Sequence, residues 1–164
     1  MQKYKNRKRL GTILIGVKMR IPTVAVSGGF DPIHKGHVQM IEEASKYGQV
    51  IVILNSDDWL IRKKGYKFMP FEERAYIAGN IKGVTIVTGV DDSDGSVCKA
   101  LEKIRPDYFA NGGDRKLTNT PEMELCKELD IGLLWNVGGG KTQSSSELVD
   151  KAAWGKRRIH GQEF

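Results

Sequence analysis

The segment Gly28-Gly29-Phe30-Asp31-Pro32-Ile33-His34-Lys35-Gly36-His37 gathers the residues of this 164-residue sequence best suited to chemistry. Its two glycines let a backbone approach a ligand closely. The apolar residues Val38, Ile41 and Ala44 that follow recur at helical spacing. A helix opening here offers unpaired N–H groups and a positive dipole end, a ready phosphate site. His34 and His37 are three apart and share one face of its first turn. Helical side chains lean toward the N-terminus, which aims both imidazoles at the same spot as the N–H groups. That convergence suits the charge that develops on a transferring phosphoryl group. Plainer readings exist beside it: a metal-ligand pair, for which no third ligand stands nearby, or histidines that cap the helix or pack in the core.

Other chemistry-bearing groups also follow aliphatic runs. Asn55-Ser56-Asp57 comes after Val50–Leu54, and the basic run Arg62-Lys63-Lys64 and Gly65 come next. Phe71-Glu72-Glu73-Arg74 lies just inside a helical pattern. Asn111-Gly112-Gly113-Asp114-Arg115 ends another apolar run, and Ser144-Ser145-Ser146 precedes the last helical one. Each has a plain counterpart: solvated basic surface, a Glu/Arg helix face, a glycine turn with a surface aspartate, a serine loop. Gly138-Gly139-Gly140-Lys141-Thr142 imitates the end of a P-loop, but that motif needs glycine where Trp135 stands and follows an earlier strand.

The elements that must position these groups alternate along the chain. Thr23–Val26, Val50–Leu54, Val84–Val87, Asp107–Ala110 and Ile131–Val137 read as buried strands. Helices are expected over His34–Tyr47, over Phe71–Ile81, around Val97, Leu101 and Ile104, from Thr120-Pro121, and from Ser144. Thr120 before Pro121 is a capping hydroxyl followed by proline at the first helical position, and Ser144 with Glu147 forms a capping box. The polar, basic stretch Asn55–Tyr66 is expected to be a loop. Alternation of this kind builds an α/β fold, a Rossmann-like doubly wound parallel sheet of about five strands in a single domain. Ligands bind such sheets beyond the carboxyl ends of the strands, which is where the groups above fall.

The ten-residue string resembles the GxFDxxHxGH signature of the cytidylyltransferase-like, HIGH-motif nucleotidyltransferases. Within that superfamily the chain is most similar to the adenylyltransferases acting on heptose 1-phosphate and to the glycerol-3-phosphate cytidylyltransferases. The resemblance spans roughly residues 24–148 and implies transfer of a nucleotide's α-phosphate to a sugar- or polyol-phosphate. It implies that His34 and His37 stabilise the transition state, with Lys64 as a third catalytic group. Gly28, Gly29 and Phe30 would shape the loop under the nucleotide, and Asp31 would order that loop or sit near a divalent ion. Asn55 and Asp57 would face the acceptor, Asp57 at its hydroxyls. Lys64, with Lys63, would hold the acceptor phosphate or the triphosphate, and Arg74 would bind the acceptor's phosphate or close the site. Gly113 and Asp114 would lie near the nucleoside, and Ser144, Ser145 and Ser146 would grip the β- and γ-phosphates, with Lys141 and Thr142 alongside. Gln143 departs from the family, whose members carry Ile, Cys or Arg there, and leaves base specificity open between ATP and CTP. The implied cofactor is Mg²⁺ and the implied assembly a homodimer.

Bulk properties bound the alternatives. The net charge of +6 is concentrated: residues 1–20 carry seven basic residues and no acid, which leaves the remainder near −1. The chain thus reads as a basic N-terminal extension (1–20), upstream of a natural start near Met19, and a nucleotidyltransferase domain (21–164). A basic arm suits nucleic acid, but the near-neutral remainder shows no reader module, so nucleic acid is not the expected partner. A catalytically silent nucleotide sensor is the other alternative, against which the intact histidines and lysines count. An aminoacyl-tRNA synthetase, which shares the histidine motif, needs a far longer chain. Cys98 and Cys126 are far apart and form no metal-ligand spacing, so a reducing compartment, the cytoplasm, is expected. No run approaches the ~20 apolar residues of a membrane span.

Overall fold

Two aliphatic runs carry the centre of the fold. Strand β1 (Thr23–Gly28) and strand β2 (Gln49–Leu54) lie side by side in parallel, Val24 opposite Val50 and Val26 opposite Val52. Val24, Ala25, Val26, Val52, Ile53 and Leu54 have no exposed surface, as uninterrupted apolar strands covered on both faces require. The computed structural model describes residues 20–112, 120–140 and 143–160, the last five by backbone alone.

Strands β3 (Val84–Gly89), β4 (Tyr108–Gly112) and β5 (Gly132–Val137) complete a five-stranded, all-parallel sheet of order β3-β2-β1-β4-β5. Alternate residues face opposite sides, and two cores follow. Val24, Val26, Val50, Val52 and Leu54 pack with Ile41 and Ala44 of helix α1 (Lys35–Ser45) and Ala78 of helix α3 (Phe71–Gly79). Ala25, Ile53 and Phe109 face the other way, onto Ala100 and Leu101 of helix α4 (Cys98–Ile104) and Cys126 of helix α5 (Pro121–Glu128). This is the doubly wound α/β architecture expected from the sequence. The strand order reverses between β1 and β4, so the switch point lies where β1 hands over to α1.

The anticipated caps form. Thr120 Oγ1 accepts from the Met123 N–H at 3.3 Å, ahead of Pro121. Ser144 Oγ accepts from the Glu147 N–H at 3.1 Å, ahead of helix α6 (Ser145–His160).

The stretch 55–66 is a correction: it holds helix α2 (Asp57–Lys64) rather than a loop. Ser56 caps it by accepting from the Trp59 N–H at 3.0 Å. Asp57 and Asp58 sit in its first turn, Arg62, Lys63 and Lys64 in its last, and Gly65 leaves it at φ 82°. Each charge complements the helix dipole, and the glycine adopts the left-handed exit conformation. Only Leu60 is buried along it, so the apolar periodicity that marks helices in sequence is nearly missing.

Candidate active site

The β1–α1 turn is built from residues that pack it as much as residues that could act. A Cβ on Gly29 would stand 2.7 Å from Leu60 Cδ2, and one on Gly28 would stand 3.2 Å from the Phe30 ring. These glycines therefore make room for α2 and for Phe30. Phe30 takes φ 51°, a costly left-handed value for a non-glycine residue. Its ring is buried, with its centroid 4.5 Å from that of His37.

His34 and His37 form a capping box from two imidazoles. His34 Nδ1 accepts from the Gly36 N–H at 3.1 Å, and His37 Nδ1 accepts from the His34 N–H at 3.2 Å. The rings stack with centroids 3.9 Å apart. An imidazole whose Nδ1 accepts carries its proton on Nε2, so each ring offers an Nε2–H donor. His37 is held neutral: burial first, then the electrostatic influence of the adjacent His34 ring and of Lys64, lower its pKa to about 3.

Both histidines line a cleft of about 310 Å³ at the carboxyl ends of the strands, together with Lys64, Ser144, Ser145 and Ser146. Gln39 and Met40 of α1, Gly138–Gly140 and Gln143 add to its walls. The N-termini of α1 and α6 thus meet at one cavity, each bringing N–H groups without intrahelical partners. The hydroxyls beside them are already engaged: Ser144 caps α6, and Ser145 Oγ donates to the Pro32 carbonyl at 2.8 Å. Ser145 therefore fastens the two helix starts together, and the anion-binding capacity of the serine run resides mainly in its backbone. Gly138 allows the approach, because a Cβ there would stand 2.8 Å from Met40 Cα.

Lys64 brings positive charge to the same cleft. Its Nζ lies 3.3 Å from the Asp31 carbonyl oxygen, and partial burial, with smaller contributions from Lys63 and Arg74, lowers its pKa. Lys63 is exposed, with its Nζ 4.8 Å above the Trp59 ring, so of the two lysines Lys64 alone lines the cleft.

Two expected contacts are corrected by the geometry, and for Asp31 the geometry selects between the two expected roles. Arg74 is fully buried. It donates to the carbonyls of Met69 (3.1 Å), Gly29 (2.8 Å) and Asn55 (2.9 Å), and to Asp57 Oδ1 (2.7 Å). A guanidinium so engaged joins the ends of β1 and β2 to α3 and is not presented to a phosphate. Asn55 is buried and donates through Nδ2 to Asp92 Oδ2 at 3.1 Å, so it supports the end of β2 and does not face the cleft. Asp31 is buried, and its two carboxylate oxygens accept from the N–H groups of Phe68 (2.7 Å) and Met69 (2.6 Å). It orders the loop and is not available as a metal ligand. Asp57 keeps part of its carboxylate exposed. Burial opposes its ionisation, but hydrogen bonds from Arg74 and Lys67 outweigh that and lower its pKa. Gly113 and Asp114, with Lys141 and Thr142, lie outside the described residues.

Asp92 is a residue the sequence reading missed. Nearly wholly buried, it accepts from the Ser56 N–H (2.8 Å) and Ser56 Oγ (2.6 Å) as well as from Asn55. It thereby fixes the start of α2, the helix that carries Lys64. The available signal was positional: Asp92 follows the end of β3, as the other groups follow theirs.

Comparison with known proteins agrees with this geometry. A family model described as cytidylyltransferase-like matches residues 25–133. The chain is 36% identical over 92 residues to a FAD synthase of Ferroglobus placidus, covering 56% of this chain and 59% of that protein. It is 30% identical over 171 residues to the bifunctional protein HldE of Geobacter metallireducens, covering 98% of this chain but 32% of that protein. The chain therefore spans somewhat over half of the first relative and about a third of the second. Among solved structures, the lipopolysaccharide core biosynthesis protein of Thermoplasma volcanium shares the fold at TM-score 0.59 and 22% identity, covering 71% of this chain and 96% of that one. The matched residues run from β1 into β5 and take in the histidine motif, the cleft wall at Lys64 and the strand ends that support them, and the chain belongs to the cytidylyltransferase-like family.

Proposed function

We propose that the protein is a nucleotidyltransferase that moves an AMP group from ATP to a phosphorylated small molecule and releases pyrophosphate. The observation that carries this reading is the meeting of two helix N-termini, two Nε2–H imidazoles and Lys64 around one cleft. An oxygen of the acceptor's phosphate attacks the α-phosphorus. A new phosphorus–oxygen bond forms, the bond from the α-phosphorus to the α,β-bridging oxygen breaks, and pyrophosphate leaves with that electron pair. The attacking phosphate is already anionic, so the reaction needs no strong base; placement and electrostatics supply the catalysis.

Within that reading His34 and His37 donate from Nε2 to the α-phosphate as its charge grows, and His37 does so as a neutral donor. The first turn of α6, at Ser144–Ser146, holds the β- and γ-phosphates. Lys64 steadies the acceptor phosphate and Asp57 faces the acceptor's hydroxyls. The catalytic domain is residues 21–164, working as a homodimer. ATP is preferred over CTP because one relative is a FAD synthase, and FAD is an AMP joined to a flavin phosphate. A flavin phosphate and a sugar phosphate are the leading acceptor classes.

The described residues do not themselves build a cation site. No Asp or Glu among them lines the cleft, Asp31 is committed to backbone amides, and no group of three potential ligands is placed to share an ion. Mg²⁺ therefore fits as an ion carried in on the nucleotide's own phosphate oxygens. Among the described residues no helix is long and apolar enough to cross a membrane.

The test is pyrophosphate release with each of ATP, CTP, GTP and UTP against sugar phosphates, glycerol 3-phosphate and FMN. Acceptor-dependent release with ATP is expected. Nucleotide binding without release from any pair would favour the silent sensor.

A further inference from the structure

Helix α2 carries Lys64 to the cleft, yet apolar packing does not fix how the helix is turned. Leu60 is the one residue it buries. That side chain sits over Gly29, where a Cβ would stand 2.7 Å from Leu60 Cδ2. A single buried contact anchors a helix but leaves its rotation and tilt open. Leu60 and Lys64 are four apart and share a face, whereas Arg62 lies about 200° around the helix from Lys64. Whatever holds Arg62 therefore turns Lys64 to the far side, where its Nζ meets the Asp31 carbonyl at 3.3 Å.

Asp92 holds this helix at both ends. At the N-cap its carboxylate accepts from the Ser56 N–H at 2.8 Å and from Ser56 Oγ at 2.6 Å. In the last turn its main-chain carbonyl accepts from Arg62 Nη2 at 2.9 Å. The same Nη2 stands 3.8 Å from Asp92 Oδ1. Asp92 is itself nearly wholly buried and takes a further bond from Asn55 Nδ2 at 3.1 Å, so the fastening point is set among the strand ends. The bond from Arg74 to Asp57 at 2.7 Å secures only the start of the helix. Asp92 stands outside the lining of the cleft, so its influence there passes through what it holds.

We propose that Asp92 is a positioning residue for Lys64: by fastening Ser56 and Arg62 it sets the rotation of α2 that presents the lysine to the acceptor's phosphate. With both ties released, α2 pivots about Leu60 and the ammonium leaves the cleft for solvent. The nucleotide side of the cleft rests on other ties. His34 and His37 are fixed by their own capping box, and the start of α6 by Ser145 on the Pro32 carbonyl. Loss of Asp92 therefore acts on the acceptor and spares the nucleotide. This inference rests on the nucleotidyltransferase reading for the partner of Lys64.

Asp92→Asn keeps the shape and removes the charge. Arg62→Met releases the second tie at a side chain that is 50% exposed, so the test survives if the first variant fails to fold. Calorimetry measures binding of α,β-methylene-ATP, and of inorganic phosphate to protein saturated with that analogue, for each variant alone and combined with Lys64→Met. Phosphate binding should weaken roughly tenfold in Asp92→Asn and less in Arg62→Met, with nucleotide binding changed by less than about twofold. Neither substitution should cost further phosphate affinity once Lys64 is methionine. In protein carrying ¹³C-labelled lysine, the Lys64 ε-carbon, identified by its loss in Lys64→Met, should titrate below the ordinary 10.5 in the parent and at that ordinary value in Asp92→Asn. Losses that persist without Lys64, or that fall equally on the nucleotide analogue, would mean general damage and overturn the inference. A Lys64 titration unmoved by the variants would overturn it too, as would phosphate affinity unaltered in both while Lys64→Met weakens it. A Lys64 resonance that moves, with phosphate affinity unaltered even in Lys64→Met, would sink the acceptor-phosphate reading and leave the positioning role intact.

Discussion

Arg74→Met separates a buried tie from a phosphate ligand. The guanidinium has no exposed surface, and it donates to three backbone carbonyls and to Asp57. Methionine fills much of the volume and supplies none of the donors. The Asp57 side chain is 28% exposed, so water can replace the arginine there. The Gly29 and Asn55 carbonyls share one guanidinium nitrogen at 2.8 and 2.9 Å, and Asn55 is buried. Leaving a buried acceptor unsatisfied costs ~1–3 kcal/mol, so these two carbonyls give about 4 kcal/mol, within the ~3–5 kcal/mol seen when a buried ion pair loses one partner. For a chain of this size that loss lowers Tm by about 8–16 °C. Thermal unfolding followed by circular dichroism reads it directly. Arg74→Lys should recover only part, because one ammonium cannot serve sites spread from Met69 to Gly29 and Asp57. A surface phosphate ligand would behave in the opposite way, changing stability by no more than ~0.5 kcal/mol while ligand affinity collapsed. A Tm within about 2 °C of the parent, with nucleotide or phosphate binding lost, would refute the assignment.

Further expectations follow from the same geometry. The folded pKa of His37, about 3, lies below the ordinary 6.5, so the unfolded chain takes up a proton first as pH falls. Stability should therefore decline from about pH 6.5 toward pH 3, and urea midpoints measured across that window should decline less steeply in His37→Gln. A His37 ring resonance titrating near 6.5 in the free protein would contradict this. Gly138→Ala places a Cβ 2.8 Å from Met40 Cα at φ +86°, whereas Gly139→Ala, at φ +76°, meets nothing within 4 Å. Chemical unfolding should show a loss of ~3 kcal/mol or more for the first and ~1–2 kcal/mol for the second, and equal losses would count against the α1 contact. Ser145→Ala removes the bond to the Pro32 carbonyl; it should cost ~1 kcal/mol in stability and weaken nucleotide binding by calorimetry, and unchanged nucleotide affinity would contradict the latch.

The sheet was legible because its signal is redundant. Runs such as Val50–Leu54 have no polar residue to misplace, and each is followed by glycine, asparagine or a capping hydroxyl. The switch-point rule directs attention to the region where the histidines, Lys64 and the serine run line one cleft. Helix α2 was illegible because caps and end charges hold it with only Leu60 buried, and a search for apolar periodicity passes over such a helix. Arg74 and Asn55 were misread for a common reason, while of the two readings of Asp31 the loop-ordering one holds. Sequence shows that a polar side chain is present near a strand end but not whether it turns toward the cleft or back onto carbonyls and amides. Asp92 escaped notice because its partners Asn55 and Ser56 are more than thirty residues away in the chain. For the histidines the two sequence readings coincide: the capping through Nδ1 is what sets the donor on Nε2.

The most direct test of the account is phosphorus NMR of the protein with ATP, Mg²⁺ and each candidate acceptor, comparing the parent with His37→Ala. The account predicts that the acceptor's phosphate resonance is replaced by the coupled pair of a new diphosphate ester while pyrophosphate appears in equal amount. In the variant both should appear at least ~100-fold more slowly. Nucleotide hydrolysis to free AMP with no diphosphate ester, or ester formation undiminished in His37→Ala, would contradict it.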